Sequence, residues 1–421
     1  MSPRLPLAHL RATVLTQAWA GAYATRLLAD MGAEVIQIEA LNRIDPWRGG
    51  YPPRLSGTYP DQEPGDRPYD RNAAYNSVNT GKKGITLDLN YPEARDALLE
   101  LVSISDVFAE NFSARVLPNL GLEYPALREV NPSIVLLRMP AYGCDGPYAT
   151  YMGNGGSIEP MSGITSLLGY RGEPPINSGV MHTDPFAGMM ATSAIMIALH
   201  HRARTGQGQE IDLSQQETSI GLIADRVMEY SMNGTGLERR GNRSDRMAPH
   251  DNYPCAGDDS WVAIAVRSDD EWTRLCALMD APGLANDHRF RDLSARLEHA
   301  DELDAIISEW TRDKDAYEVT RLLQAEGIPS APVLKATELA DNLQLRERGF
   351  IQSVDHPEAG TQGYAGVAWK LSRTPGNLGG PSPKLGQHSV EVLRDYLGRS
   401  DEGIGDMVAH GITGDTPDLD D

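Results

Sequence analysis

Three short runs at the start of the chain constrain its fold more than any other feature: the apolar ATVLT, the small-residue run AWAGAYATRLLADMG, and EVIQIEA. Their hydrophobic period switches from strand to helix and back to strand, which predicts a βαβ unit and with it a parallel sheet. Ala22, Leu27, Leu28 and Met31 are expected to line one helical face, with Gly32 as the stop, and Val35, Ile36 and Ile38 suit a buried parallel strand. A dinucleotide-binding turn needs GxGxxG between strand and helix, whereas QAWAGAY has Gly21 alone, so NAD is disfavoured. Glu39 at the close of the second strand reads as a solvated strand end.

The alternation continues. GITLDL and DVFAENF read as strands, PEARDALLELVSI between them as a helix opened by Pro92, PALREVN as a short helix, and SIVLLRM as a further buried strand. The run over 44–76, crowded with Pro, Gly and charge, reads as a long loop, and so does the glycine-rich stretch after SIVLLRM, AYGCDGPYATYMGNGGSIEPMSG. DPFAGMMATSAIMIALHHRAR is a strong helix bounded by TGQGQ. Beyond about residue 225 a charged, irregular linker, LERRGNRSDRMAPHDNYPC, leads into the strand WVAIAV, a capping box at Ser268 and Glu271, and several helices. GIPSAPVLKATELADN returns toward the first domain, KLGQHSVEVLRDYLG is an amphipathic helix, and the acidic tail ITGDTPDLDD reads as disordered. The expected division is 1–225, an inserted α+β domain over 226–335, and a C-terminal return over 336–421.

At 421 residues the chain is long enough for two domains. A net charge of -21 argues against nucleic acid or an anionic membrane as partner, yet leaves room for a local basic pocket, for which Arg43, Arg48, Lys82, Lys83 and Arg115 are available. No run is long and apolar enough for a membrane span, and the start of the chain lacks the pattern of a secretory leader. Cys144, Cys255 and Cys276, without a CxxC pair, match neither a disulfide framework nor a zinc site, so a reducing cytoplasm is expected. His200 and His201 are adjacent and point to different helical faces, which excludes a helical zinc pair. Cys144 has no base near it in sequence and reads as a packed thiol.

Asp184, in VMHTDPFAGMM, has two readings. As an N-cap followed by Pro185 at the first helical position it needs no further role, and these residues alone favour that reading. The same helix start would also keep a carboxylate ionised, as a nucleophile must be, with Ala187 and Gly188 leaving space for a ligand.

Taken together, LLADMGAEVIQIEA with IDPWRG, NTGKKGITLDL, AENF, LGLEYPALREVNPSIV, AYGCDGP, TDPFAGM, RARTGQGQEIDLS, GIPSAPV and LGQHSVEVL resemble, in order and spacing, the family III CoA transferases and the related α-methylacyl-CoA racemases over nearly the whole chain. The resemblance implies an α/β fold: a Rossmann-like large domain built from N- and C-terminal parts, an inserted small α+β domain, and an interlocked homodimer. It also implies that Asp184 is the catalytic carboxylate, forming acyl-aspartyl and aspartyl-CoA intermediates with coenzyme A thioesters and a carboxylic acid as substrates, and with no metal or tightly bound cofactor. CoA is expected over Ala18, Trp19 and Ala20, beside Leu87 and Leu89, and across Asn111 and Phe112. Oxyanion donors are expected around Gly143, Gly155 and Gly156.

The chain departs from parts of that pattern. Formyl-CoA transferases carry Arg where this chain has Ala40, so phosphate contacts are expected from Arg43 or Arg115. The family's run of consecutive glycines in the small domain is missing, which argues against formyl or oxalyl substrates. The racemases' G-H-D-like motif is replaced by MGNGGSIEP, with Asn154 at the place of the His, and Asn cannot exchange a proton. Arg138, His182 and Tyr142 are expected near the acyl group. The alternatives to a transferase are an acyl-CoA racemase or epimerase, and an idle CoA-binding homologue.

Overall fold

The computed structural model describes residues 5–51, 58–236 and 238–419. Residues 52–57 of the expected loop, Leu237 of the expected linker and the last two residues of the expected disordered tail lie outside the described residues. The described chain divides into two compact units. One comprises the stretch up to Thr165, Asn177–Thr235 and the stretch from Leu343 onward; the other comprises Ser166–Ile176 and Gly236–Asn342.

The first unit is built on six parallel strands: β1 (Arg11–Leu15), β2 (Glu34–Glu39), β3 (Lys83–Thr86), β4 (Val107–Glu110), β5 (Val135–Arg138) and β6 (Glu210–Asp212). Their order is β3-β2-β1-β4-β5-β6, with every neighbouring pair parallel. In such a doubly wound sheet both faces are covered, and the strand alternation assigns each side chain to a face. Val14, Val35, Val107, Ala109, Val135 and Leu137 pack under helices α1 (Ala20–Asp30) and, further along the chain, Thr183–Thr205. Leu15, Ile36, Ile38, Phe108 and Leu136 point the other way, toward α2 (Pro92–Ser103), whose Ala94, Ala97, Leu98 and Leu101 are all buried.

Helix α1 departs from the expected single apolar face. Ten of its eleven residues are buried, because the sheet covers one side while the helix Thr183–Thr205 and the segment around Lys82 cover others. The expected loops also contain helices: Pro68–Arg71, Ala73–Val78 and α3 (Gly155–Met161). Asn154 caps α3 through Ser157 in a reciprocal box, a signal masked in sequence by the paired glycines and by Pro160 inside the helix. The long helix α4 (Thr183–Thr205) follows as expected and ends at Gly206 with φ 75°. Helix α5 (Ala224–Asn233) and the three-residue β6 were not read from the sequence.

In the second unit, β7 (His250–Pro254), β8 (Trp261–Ala265) and β9 (Ser330–Pro332) form an antiparallel sheet against helices that include Asp269–Leu278 and Ala300–Thr311. Strand β7 lies within the stretch expected to be irregular linker; pairing with β8, which no local periodicity announces, makes it a strand. Ser268 accepts the Glu271 N–H as expected, but the Glu271 carboxylate turns to Arg267.

The C-terminal return adds the antiparallel pair β10 (Ile351–His356) and β11 (Gly360–Ala365) to the first unit, and then docks on β3. Ser389 Oγ accepts the Thr86 N–H, and His388 Nδ1 accepts the Gly84 N–H. The acidic tail is ordered through Leu419, correcting the expectation of disorder: Ile412 and Thr413 are buried, the Ile412 carbonyl accepts the Asp88 N–H, and the Leu41 carbonyl accepts the Asp418 N–H. Backbone pairing with the sheet edge compensates for the low apolar content of this segment.

Candidate active site

Asp184 sits in the first turn of α4, two residues deeper than the N-cap position it was expected to occupy. His182 is the N-cap residue, Pro185 is the third helical residue, and no side chain caps this helix. Asp184 as a whole residue is 9% exposed, and its Oδ1 atom is buried without a hydrogen-bond partner among the described residues. The capping role is therefore absent. Burial pushes the carboxyl up to about 6, which still leaves roughly nine in ten molecules ionised at pH 7.

What fills the space beside that oxygen is Gly155. A Cβ placed there would lie 2.8 Å from Asp184 Oδ1 and 2.8 Å from the Met181 Cβ, so only glycine leaves the carboxylate unobstructed. Gly156 follows it at the exposed start of α3. Beneath Asp184, Gly188 plays a similar part toward α1: a Cβ there would meet the Ala20 carbonyl oxygen at 2.8 Å and the Ala24 nitrogen at 3.3 Å. Thr192 Oγ1 donates to the Ala24 carbonyl at 3.0 Å. One helical turn thus separates the Asp184 carboxylate from the backbone of Ala20.

The turn Thr16–Trp19 after β1 is irregular, with Ala18 in the left-handed region at φ 55°. Trp19 precedes α1 and its ring packs on Trp47 with centroids 5.3 Å apart. Across the C-terminal ends of β1 to β4 runs a groove of about 240 Å³, whose lining includes Leu15, Gln17, Leu87, Leu89, Phe112 and Arg43. Grooves at strand ends where the order reverses are where open α/β sheets bind ligands.

The structure brings Leu87, Leu89 and Phe112 together in that groove. Asn111 is placed differently: its amide accepts the Gln17 N–H at 2.8 Å and donates to the Gln17 carbonyl at 2.9 Å, so both functions are engaged within the protein. Arg115 is exposed, outside the groove lining, and makes no ion pair among the described residues. Gly143, at φ 88°, lies nearest Ser214 and Asp212 rather than Asp184, and the neighbouring Cys144 N–H donates to the Asp212 carboxylate. Tyr142 packs edge-on against Tyr148 and Tyr151.

Several expectations are corrected. Glu39 is a buried residue, not a solvated strand end: it is paired with Arg48 at 2.7 Å and accepts from Tyr75 and from the Asp45 N–H. Arg48 is fully buried between Glu39, Asp70 and the Tyr75 ring, which removes it from any ligand pocket. Lys82 is buried as well, donating to Asn79, Thr25 and the Ala22 carbonyl, and burial lowers its ammonium to about 7. Arg138 is engaged by Glu110 and the Ala114 carbonyl. His182 Nδ1 lies 3.0 Å from Ser178 Oγ, which itself donates to the buried Glu159 at 2.6 Å. Sequence reading passed over Gln17, Gln37 and Asp45, which line or shape this region; the Asp-Pro pair at 45–46 signals a cap, but its second target, Ala18, is nonlocal.

A family profile described as CoA-transferase family III matches residues 7–389. The chain is similar to the succinyl-CoA–D-citramalate CoA-transferase of Chloroflexus aurantiacus, with 34% identity over 402 residues that cover 96% of each chain. It is also similar to the succinate–glutarate CoA-transferase of Agrobacterium fabrum, with 31% identity over 93% of this chain and 95% of that one. Among solved structures it resembles a CAIB/BAIF family protein from Brucella suis, with a TM-score of 0.83 and 30% identity, covering 93% of this chain and all (100%) of the other.

Proposed function

The chain belongs to CoA-transferase family III and is a CoA transferase, and we propose that it moves CoA from a dicarboxylic acyl-CoA to a second carboxylic acid through covalent intermediates on Asp184. The observation that carries this reading is the buried carboxylate of Asp184, free of any cap and opened by Gly155. Relatives named for succinyl-CoA or for succinate and glutarate support a four- or five-carbon dicarboxylic donor.

In the proposed sequence an Asp184 oxygen attacks the thioester carbonyl, the C–S bond breaks, and CoA leaves as thiolate. The thiolate then attacks the aspartyl carbonyl of the mixed anhydride, releasing the donor acid as carboxylate and leaving an aspartyl-CoA thioester. The acceptor carboxylate attacks that thioester and expels the thiolate. Finally the thiolate attacks the acceptor's acyl carbonyl, and Asp184 is regenerated. Each tetrahedral oxyanion needs donors, and the Gly155 and Gly156 N–H groups are assigned that role. CoA is assigned to the turn Ala18–Ala20 and to the groove of Leu87, Leu89 and Phe112, with exposed Arg43 available to its phosphates. A homodimer and a cytoplasmic location belong to the same reading. Exposed Met189, Met190 and Ile197 on α4 and Met228, Tyr230 and Met232 on α5 support the dimer.

The test is to incubate the protein with a panel of acyl-CoA thioesters, add hydroxylamine, and examine the Asp184 peptide by mass spectrometry. An aspartyl hydroxamate with dicarboxylic donors is expected. An unmodified Asp184 across the panel, with CoA binding demonstrated, would overturn the covalent role proposed for Asp184.

A further inference from the structure

The turn after β1 is held almost entirely by side chains from other elements. Gln37 Nε2 donates to the Thr16 carbonyl, and Gln37 Oε1 accepts the Thr16 hydroxyl at 3.0 Å. Asn111 takes both the N–H and the carbonyl of Gln17. Asp45 accepts the Ala18 N–H on both oxygens, at 3.1 Å each, and the Trp47 N–H at 2.9 Å. Of these three supports only Asp45 carries charge. It is fully buried, and its own N–H donates to Glu39 Oε2 at 3.0 Å, so a continuous chain of contacts runs from Arg48 through Glu39 and Asp45 to Ala18. An L-residue in the left-handed region is disfavoured unless its surroundings enforce it. At Ala18 the group that accepts the backbone N–H is the Asp45 carboxylate.

We propose that Asp45 is a positioning residue for CoA transfer: its carboxylate holds Ala18 in the left-handed conformation and so shapes the surface on which CoA binds. The proposal rests on the reading that CoA lies along this turn and groove. The groups that face Asp45 are Glu39, Arg48, Tyr75 and Lys82. Burial first, and then the negative charge of Glu39, push the Asp45 carboxyl up to about 7. Protonation occupies one of the two oxygens and removes the negative charge that strengthens both backbone N–H bonds, so the turn is fully supported above that pH and loses support below it.

The experiment measures CoA affinity by calorimetry for the wild-type protein, for Asp45→Asn and for Leu89→Trp, together with KM and kcat for succinyl-CoA. For Asp45→Asn, CoA binding is expected to weaken by roughly tenfold or more, with KM rising more than kcat falls and the thermal transition retained. A folded Asp45→Asn that binds CoA like the wild type overturns the proposal. Leu89, half-buried on the groove wall, leaves room for Leu89→Trp to fill the groove, and this variant is expected to abolish CoA binding; if it binds as the wild type does, the groove reading fails and the proposal with it. Loss in Leu89→Trp with no change in Asp45→Asn refutes the role of Asp45 alone. Should Asp45→Asn not fold, the wild type decides. Its affinity for dephospho-CoA, which lacks the phosphate monoester that titrates in this range, is expected to fall about tenfold from pH 8 to pH 6. A flat profile overturns the proposal.

Discussion

Asp184 is placed where its ionised form is costly to the fold and, in the proposed mechanism, necessary to the reaction. Its carboxyl is raised by burial to about 6, against about 3.9 in an unfolded chain. Because the folded state holds the proton more tightly, this group favours folding at low pH, and that contribution is lost as pH rises from about 4 through 6. At neutral pH the cost is on the order of 3 kcal/mol. Asp184→Asn is therefore expected to end turnover while raising the melting temperature at pH 7.5. With substrate saturating, so that the weaker CoA binding expected from Asp45 below pH 7 does not enter, the wild-type kcat is expected to fall on the acid side with an apparent pKa near 6. A variant that melts lower than the wild type, or a pH profile flat down to 5, would contradict this account. In the sequence Asp184 followed by Pro185 looks like a cap; only the backbone path through Met181 and His182, with Met181 at φ 47°, moves it into the helix and away from capping.

The pairing of α1 with α4 sets the distance between the proposed nucleophile and the turn assigned to CoA. Gly188 permits that distance, since a side chain there would meet the Ala20 oxygen at 2.8 Å and the Tyr23 ring at 3.2 Å. Backbone atoms of a buried helix cannot swing aside as a flexible side chain would. Gly188→Val is expected to destabilise the protein by about 1–3 kcal/mol and to lower kcat/KM, read from urea unfolding and steady-state rates. An unchanged unfolding midpoint would show that the helices can separate without cost. Helices α1, α2 and α4 and strands β1 to β5 were legible because each carries a full period of apolar residues. Strand β6, only three residues long, and helix α3, opened by two glycines, were not, because tertiary pairing and a single cap stabilise them instead.

At the scale of the whole molecule, helix α5 leaves Val227, Met228, Tyr230 and Met232 in solvent, Met232 at 70% exposure. A row of large apolar side chains on one short helix is more than scattered surface hydrophobicity. The protein is expected to sediment as a dimer, and the double substitution Met228→Asp, Met232→Asp to shift it toward monomer. A wild-type monomer at micromolar concentration would remove the dimer from the proposed function. The first unit also depends on residues far apart in sequence: buried Arg48 joins Glu39, Asp70 and the Pro383 carbonyl, 335 residues away.

By itself the sequence determined the parallel α/β architecture, since alternating strand and helix periods permit few other packings, and through motifs in a shared order it singled out Asp184 as the carboxylate proposed for catalysis. It also indicated the apolar groove residues Leu87, Leu89 and Phe112. Tertiary structure decided which polar residues are available to a ligand. Glu39, Arg48, Lys82, Asn111 and Arg138 have the composition of a binding site, yet each is engaged by a partner distant in the chain. Long-range pairing of charges and amides inside a folded core follows from three-dimensional proximity, which local periodicity does not encode.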